Sequence, residues 1–343
     1  MPLFGSMATK GKGMATIPDQ AGTPSITSQV SGSIGLSWTA PTFTGGAPLI
    51  DYKLEYSTNS GSSWTTYSHA AGWATSITTT GLTDYLTYIW RVSAINAVGS
   101  GAVSANSAGA AQFNAASGGT EATITNYNST GQTWKVHTFT STGAINPTIS
   151  IHNYQVLCVA GGGAASGNYG SGGGGGGMLE NSYSITTGSK IVTVGDGGPG
   201  GYVSGVAASG GTSSLQGVVS TTGGGGGASQ GYVGGNGGSG GGSSRGNTPG
   251  SGISGQGYQG WPGNDSIQVT GAGGGAGGSA LNSTPGPGRA SSITGSSVLY
   301  AGGGSGVTYG QNNGFSFNGY GGGGGAENRA GTAGIVVVAY RIA

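Results

Sequence analysis

Three histidines (His69, His137, His152), one cysteine (Cys158) and nine aspartates and glutamates make up most of the proton-transfer, nucleophilic and metal-binding capacity of 343 residues. A hydrolytic triad needs a base within reach of a nucleophile and a carboxylate to orient it. No histidine here has such neighbours in sequence, and each reads as a strand-surface residue. Gly237-Gly238-Ser239-Gly240-Gly241 matches the Gly-x-Ser-x-Gly pattern, but so glycine-dense a region matches it by chance and lacks a strand-turn-helix context. Dinucleotide-type glycine patterns carry no weight for the same reason. Asp196 and Asp265 are isolated and form no glycosidase pair. Cys158, inside Val156-Leu157-Cys158-Val159, reads as an inert core thiol; it cannot close an internal disulfide, and no Cys/His spacing suits zinc. The expectation is a non-enzyme with no catalytic residue, no cofactor and no metal.

Side chains suited to recognition concentrate in two stretches, 258–265 (YQGWPGND) and 309–320 (YGQNNGFSFNGY). Aromatic faces stack on sugars or fill grooves, and amides donate and accept hydrogen bonds; antibody paratopes use the same mixture. Tyr258, Trp261, Asn264, Tyr309, Asn312, Asn313, Phe315, Phe317 and Tyr320 are therefore the candidate receptor-binding residues, with Tyr169, Tyr202, Tyr232 and Tyr300 able to contribute from nearby loops. The alternative is that these rings plug the ends and flanks of a body with few other apolar side chains.

Ten Lys and Arg against nine Asp and Glu give a formal charge of +1, and only 6% of the chain is charged. That excludes a surface built on many phosphate contacts and a polybasic membrane patch, so neither nucleic acid nor membrane insertion is expected. No apolar run approaches a membrane span, and residues 1–20 lack the apolar stretch of a secretory signal, so synthesis in a cytoplasm is expected.

Eighteen glycines precede Gly161 and the other 64 lie in the remaining 183 residues, so two physical regimes share the chain. From Ile17 to Ala110, short β-branched and aromatic runs alternate with turn residues, the pattern of an all-β sandwich. Ile34, Leu36 and Trp38 would share one strand face, as would Tyr52, Leu54 and Tyr56, and Asn59-Ser60-Gly61 reads as a hairpin turn before Trp64 and Tyr67. Trp38, Leu82 six residues before Tyr88, and the run Arg91-Val92-Ser93-Ala94-Ile95-Asn96 closed by Gly99 and Gly101 resemble the fibronectin type III domain; Asp84 stands where that family often has proline. The resemblance implies a spacer or attachment module. Residues 111–122 are small and polar and read as a linker.

In 123–343, strands are expected at Thr133–Thr140, Tyr154–Ala160, Lys190–Gly195 and Gly334–Ile342, the last apolar enough to be buried on both faces. A small β base would then hold a glycine-dominated body. Collagen is excluded by the missing period and only 11 prolines, and a calcium β-helix by the missing periodic Asp. What remains is a bundle of polyglycine II helices, which rise about 3.1 Å per residue with no internal hydrogen bonds and direct every N–H and C=O at a neighbour.

The runs 134–140 (WKVHTFT), 154–163 (YQVLCVAGGG), 191–198 (IVTVGDGG) and 334–342 (GIVVVAYRI) resemble the glycine-rich domain of bacteriophage tail-fibre and adhesin proteins. That resemblance implies a polyglycine-helix sandwich whose loops contact a host receptor, either a surface glycan or an outer-membrane protein. It implies a virion-surface location, with other virion proteins as partners through the N-terminal region. A homo-oligomer is compatible with the sequence, and a capsid or tail decoration protein is the alternative reading. Residues 1–16 are the candidate docking arm, with Leu3, Phe4, Lys10 and Lys12 its candidate contacts.

Overall fold

The computed structural model describes residues 14–30, 32–83, 86–111, 116–147, 151–167, 170–201, 204–308 and 315–342. Leu3, Phe4, Lys10 and Lys12 of the expected docking arm lie outside them. The chain divides into two compact units, residues 1–113 and 114–343, and its regular structure is almost entirely β, as the composition implied.

In the first unit the strands are β1 (Ser25–Val30), β2 (Ser33–Ser37), β3 (Leu49–Ser57), β4 (Thr65–Tyr67), β5 (Ser76–Thr80), β6 (Thr87–Asn96) and β7 (Ala110–Ala111). They form two sheets, β1-β2-β5 and β4-β3-β6-β7, all antiparallel. The alternation in β2 and β3 delivers Ile34, Leu36, Trp38, Tyr52 and Leu54 to one core with Tyr88, Trp90, Val92 and Ala94 of β6. The Tyr88 hydroxyl accepts the Thr83 backbone N–H at 2.9 Å, tying the turn before β6 to the strand it enters. Ahead of β7, Gly101, Ser104 and Ser107 donate to Ala94, Val92 and Trp90, three residues on one side for every two on the other. That irregular step leaves two N–H groups of β6 without a carbonyl, and the Ser104 and Ser107 hydroxyls accept them at 3.0 and 2.9 Å.

The second unit begins inside the stretch expected to be a linker. Strand β8 (Ala116–Ser117) lies in 111–122 and β9 (Thr120–Ile124) begins there; they pair with β11 (Gly143–Pro147) and β10 (Trp134–Phe139). Edge strands need only backbone hydrogen bonds, so Ala, Ser and Gly can fill them without the alternation that marks a strand in sequence. The remaining strands are β12 (Ile151–Val159), β13 (Met178–Ile185), β14 (Lys190–Thr193), β15 (Ser213–Leu215), β16 (Val219–Thr221), β17 (Arg289–Ser291), β18 (Val298–Tyr300) and β19 (Ile335–Arg341). One sheet has the order β13-β12-β19-β10-β9 and another β16-β15-β14-β11-β8. The C-terminal strand is therefore central, and both its faces are covered. Val336, Val338 and Tyr340 pack with Phe139, Ile145, Cys158 and Leu215, while Ile335, Val337 and Ala339 pack with Leu157, Met178, Ile293 and Tyr300.

The glycine blocks extend from the ends of these strands and hydrogen-bond to one another. Along 172–177, Gly172 and Gly175 donate to Gly271 and Gly274, Gly173 and Gly176 to Gly324 and Gly321, and Gly174 and Gly177 to Gly225 and Thr222, at 2.7–3.0 Å. The partner changes at each residue and returns every third, as a threefold helix requires. Gly242 and Ser239, Gly304, and Gly163 and Ala160 donate back to carbonyls of the same segment, so six segments surround it. Glycine is obligatory at this spacing. A Cβ on Gly173 would overlap the Gly163 carbonyl, and one on Gly225 the Gly235 carbonyl.

Gly173→Ala should therefore cost more than about 3 kcal/mol, the upper part of the range for overpacking, because backbone rather than a side chain must give way. Gly225→Val should collapse the second unit. Gly201→Ala, with nothing within 4 Å of its Cβ and no positive φ, should change stability by less than about 0.5 kcal/mol. Differential scanning calorimetry separates these outcomes, and equal transitions for Gly173→Ala and Gly201→Ala would reject the close-packed bundle.

Candidate functional site

The central segment 172–177 is enclosed by six others, so side chains reach solvent at the turns and on the outer segments. Following the chain from β12 outwards, the strand-distal turns include the described residues 166–167, 170–171, 204–206, 229–233, 243–249, 264–269, 307–308 and 327–329. Among their described residues, Val206, Tyr232, Val233 and Ile267 are exposed. The turns are cross-linked. Val269 and Thr308 form a β-bridge, Val206 bridges Ala228, and Arg245 Nε lies 3.7 Å from an Asp265 carboxylate oxygen.

The expected recognition residues are spread along the bundle rather than gathered at one end. Tyr258 and Trp261 share one segment: Tyr258 N–H donates to Gly275, toward the strands, and Trp261 N–H to Ala272, further out. Tyr258 is about half exposed and Trp261 is partly buried. Asn264 reaches the distal turn, where its side chain accepts the Ser266 N–H at 2.8 Å and caps the short 3-10 turn Asp265–Ile267. Phe315 is 72% exposed. A Cβ on Gly288, Gly302 or Gly319 would each meet the Phe317 ring, so this ring is laid over glycine backbone. Tyr320 returns to the strand side, its carbonyl accepting from Ala301. Tyr309, Asn312 and Asn313 lie outside the described residues. Sequence reasoning passed over Val206, Val233 and Ile267, because an isolated β-branched residue between glycine blocks looks the same whether it is buried or exposed.

His69 and Cys158 are engaged in packing. His69 sits between the carbonyls of Ala70 and Tyr52. Cys158 is buried 3.3 Å from the Thr221 hydroxyl, and burial pushes its thiol up to about 11. No group of three or more His, Cys, Asp or Glu that could hold a metal ion occurs among the described residues. No helix among them is long and apolar enough to cross a membrane.

One polar cluster locks the entry strands to the C-terminal strand. His137 is buried, with Nδ1 2.7 Å from the Gly118 carbonyl and Nε2 3.0 Å from the Tyr340 hydroxyl, which accepts the Ala116 N–H at 2.8 Å. A carbonyl requires a donor, which places the proton on Nδ1 and makes Nε2 the acceptor of the Tyr340 proton. Burial pushes the histidine below its ordinary value, and it pushes the Tyr340 phenol up to about 12. The Lys135 ammonium, 2.7 Å from Glu121, holds that carboxyl below its usual range.

Two family models match the chain. The one described as a fibronectin type III domain matches residues 19–109. The one described as a glycine-rich domain matches 137–341, more than half the chain. The chain belongs to the glycine-rich domain family. Solved structures align with part of the chain only. The twitchin kinase region of C. elegans is 26% identical, covering 28% of this chain and 17% of that one at a TM-score of 0.27. A titin module from human cardiac muscle is 26% identical, covering 28% and 92% at 0.26. A multidomain titin fragment is 24% identical, covering 29% and 33% at 0.27. The chain spans a third or less of the multidomain titin and twitchin structures.

The depressed His137 makes the glycine-rich domain pH-sensitive with a defined sign. The folded state favours the neutral ring, so stability is complete above the unfolded value of about 6.5 and falls as pH drops below it. Glu121 adds a loss at still lower pH, beneath the ordinary carboxylate value. The melting temperature should fall between pH 7.5 and 5.5 and stay level over that window in His137→Gln, as read by calorimetry.

Proposed function

We propose that this chain is a bacteriophage virion protein, a tail-fibre or adhesin component that binds a host surface receptor through the strand-distal turns of its glycine-rich domain. The observation that carries the reading is that central segments such as 172–177 leave no room for a side chain, while the strand-distal turns expose Val206, Tyr232, Val233 and Ile267. In this reading the body positions no catalytic apparatus. It holds a set of loops at fixed spacing, which suits recognition of a surface. In this reading the fibronectin type III domain is a spacer or attachment module, the N-terminal region contacts other virion proteins, and no chemistry is performed.

A decoration protein with an architectural role is the second reading, and Phe317, spent on covering glycine backbone, favours it. Gold-labelled antibody against the glycine-rich domain distinguishes the two on phage particles viewed by electron microscopy. Label at fibre or tail tips is the expected result. Label spread over the capsid supports decoration, and no label on intact particles, with the purified chain as positive control, rejects a virion protein.

Within the adhesin reading, replacing Tyr232, Val233 and Ile267 together by Ala should lower adsorption to host cells at least tenfold while particle assembly and the melting transition are unchanged. Unaltered adsorption would remove the distal turns from recognition.

A further inference from the structure

A polar groove runs along the flank where the glycine bundle meets the strands. Its upper lobe, about 620 Å³, is lined by Ser251, Ser254, Tyr258, Gln259, Ser279 and Arg289, with glycines 252, 255, 257 and 277 between them. Its lower lobe, about 740 Å³, is lined by Gln155, Glu180, Asn181 and Ser182, with Leu179 and Ala290 the apolar members, and shares Gly255 and Arg289 with the first. Either lobe has the volume of a small-molecule site, and the shared residues make one elongated cleft.

We propose that this groove binds a neutral hexose oligosaccharide. Tyr258 presents a half-exposed ring among hydroxyls and glycine backbone rather than in an apolar patch, the setting in which a ring stacks on the C–H face of a sugar. Arg289 and Glu180 supply one planar donor fork and one two-oxygen acceptor, which match pairs of neighbouring hydroxyls. Arg289 gives one guanidinium N–H to the Met178 carbonyl at 2.6 Å, which fixes the head group and leaves other donors of its five. The two charges cancel, which disfavours a phosphorylated or polyanionic ligand, and the scarcity of large apolar side chains disfavours a lipid or an apolar peptide. The glycines of the floor let a flat ring approach the backbone.

The groove is separate from the distal turns and does not depend on the adhesin reading. The full-length protein is tested on a microarray of neutral gluco-, galacto- and manno-oligosaccharides of two to six units, followed by calorimetric titration of the strongest binder. Binding to at least one series is expected, with a tenfold or greater loss in Tyr258→Ala and in Glu180→Gln and an unchanged melting transition in both. Absence of binding to every series overturns the proposal, as does binding that survives both substitutions. Binding that both substitutions abolish, by a sugar that leaves cell adsorption unaffected, upholds the groove while separating it from host attachment.

Discussion

The close approach of glycine backbones is the constraint on which the rest of the second domain depends. A segment with no internal hydrogen bonds must find a partner for every N–H and C=O, and each one left unmade in the interior costs about 1–3 kcal/mol. In 172–177 that demand is met by six neighbouring segments that lie far apart in sequence, from residue 160 to residue 324. No two segments can satisfy each other alone. The bundle is cooperative for that reason, and the glycine that permits it also opposes it, since ordering each glycine costs roughly 0.5–1 kcal/mol more than ordering alanine.

The sheets supply what the glycine bundle lacks. Bundle segments bury little apolar side-chain surface, whereas β19 buries Ile335, Val336, Val337, Val338, Ala339 and Tyr340 against two clusters at once. The strands are where the hydrophobic effect acts, and they set the starting position and direction of the segments that follow β12, β14, β16 and β18 and of those that lead into β13, β15, β17 and β19. The His137 and Tyr340 hydrogen bonds extend this anchoring to β8 and to the turn before β9, whose small side chains would not hold an edge by packing.

Much of this was legible in the residues. The Val-rich C-terminal run announced a strand covered on both faces, and the glycine blocks without collagen period pointed to threefold helices. The pairing of blocks was not legible, because one glycine is chemically identical to another and neighbours are chosen by the three-dimensional arrangement alone. Residues 111–122 looked like a linker because an edge strand of Ala, Ser and Thr leaves no hydrophobic alternation. Among the recognition candidates, Asn264 caps a turn and Phe317 covers glycine backbone, roles that residue type does not distinguish from ligand binding. The groove at Tyr258 joins β12, β13 and β17 to a turn near residue 255, and no spacing in sequence reveals that meeting.

The same architecture separates what the domain can change from what it cannot. A substitution in a bundle segment meets backbone on every side, as at Gly173, Gly225 and Gly304, and is felt by segments from all over the chain. At a strand-distal turn, local hydrogen bonds such as Ser266 N–H to Asn264 and Gln268 N–H to Asp265 stand beside bonds to adjoining turns, such as Ser229 N–H to Gly205, so a change there is felt by neighbouring turns rather than by the whole bundle. Loops of this kind accept new side chains and changes of length at little cost to the body that carries them. With only 6% of residues charged, the body also owes little of its cohesion to ion pairs, so its stability is insensitive to the salt that would screen them. A scaffold held by backbone hydrogen bonds and the apolar clusters on the two faces of β19 can thus keep its geometry while the chemistry displayed at its turns is rewritten.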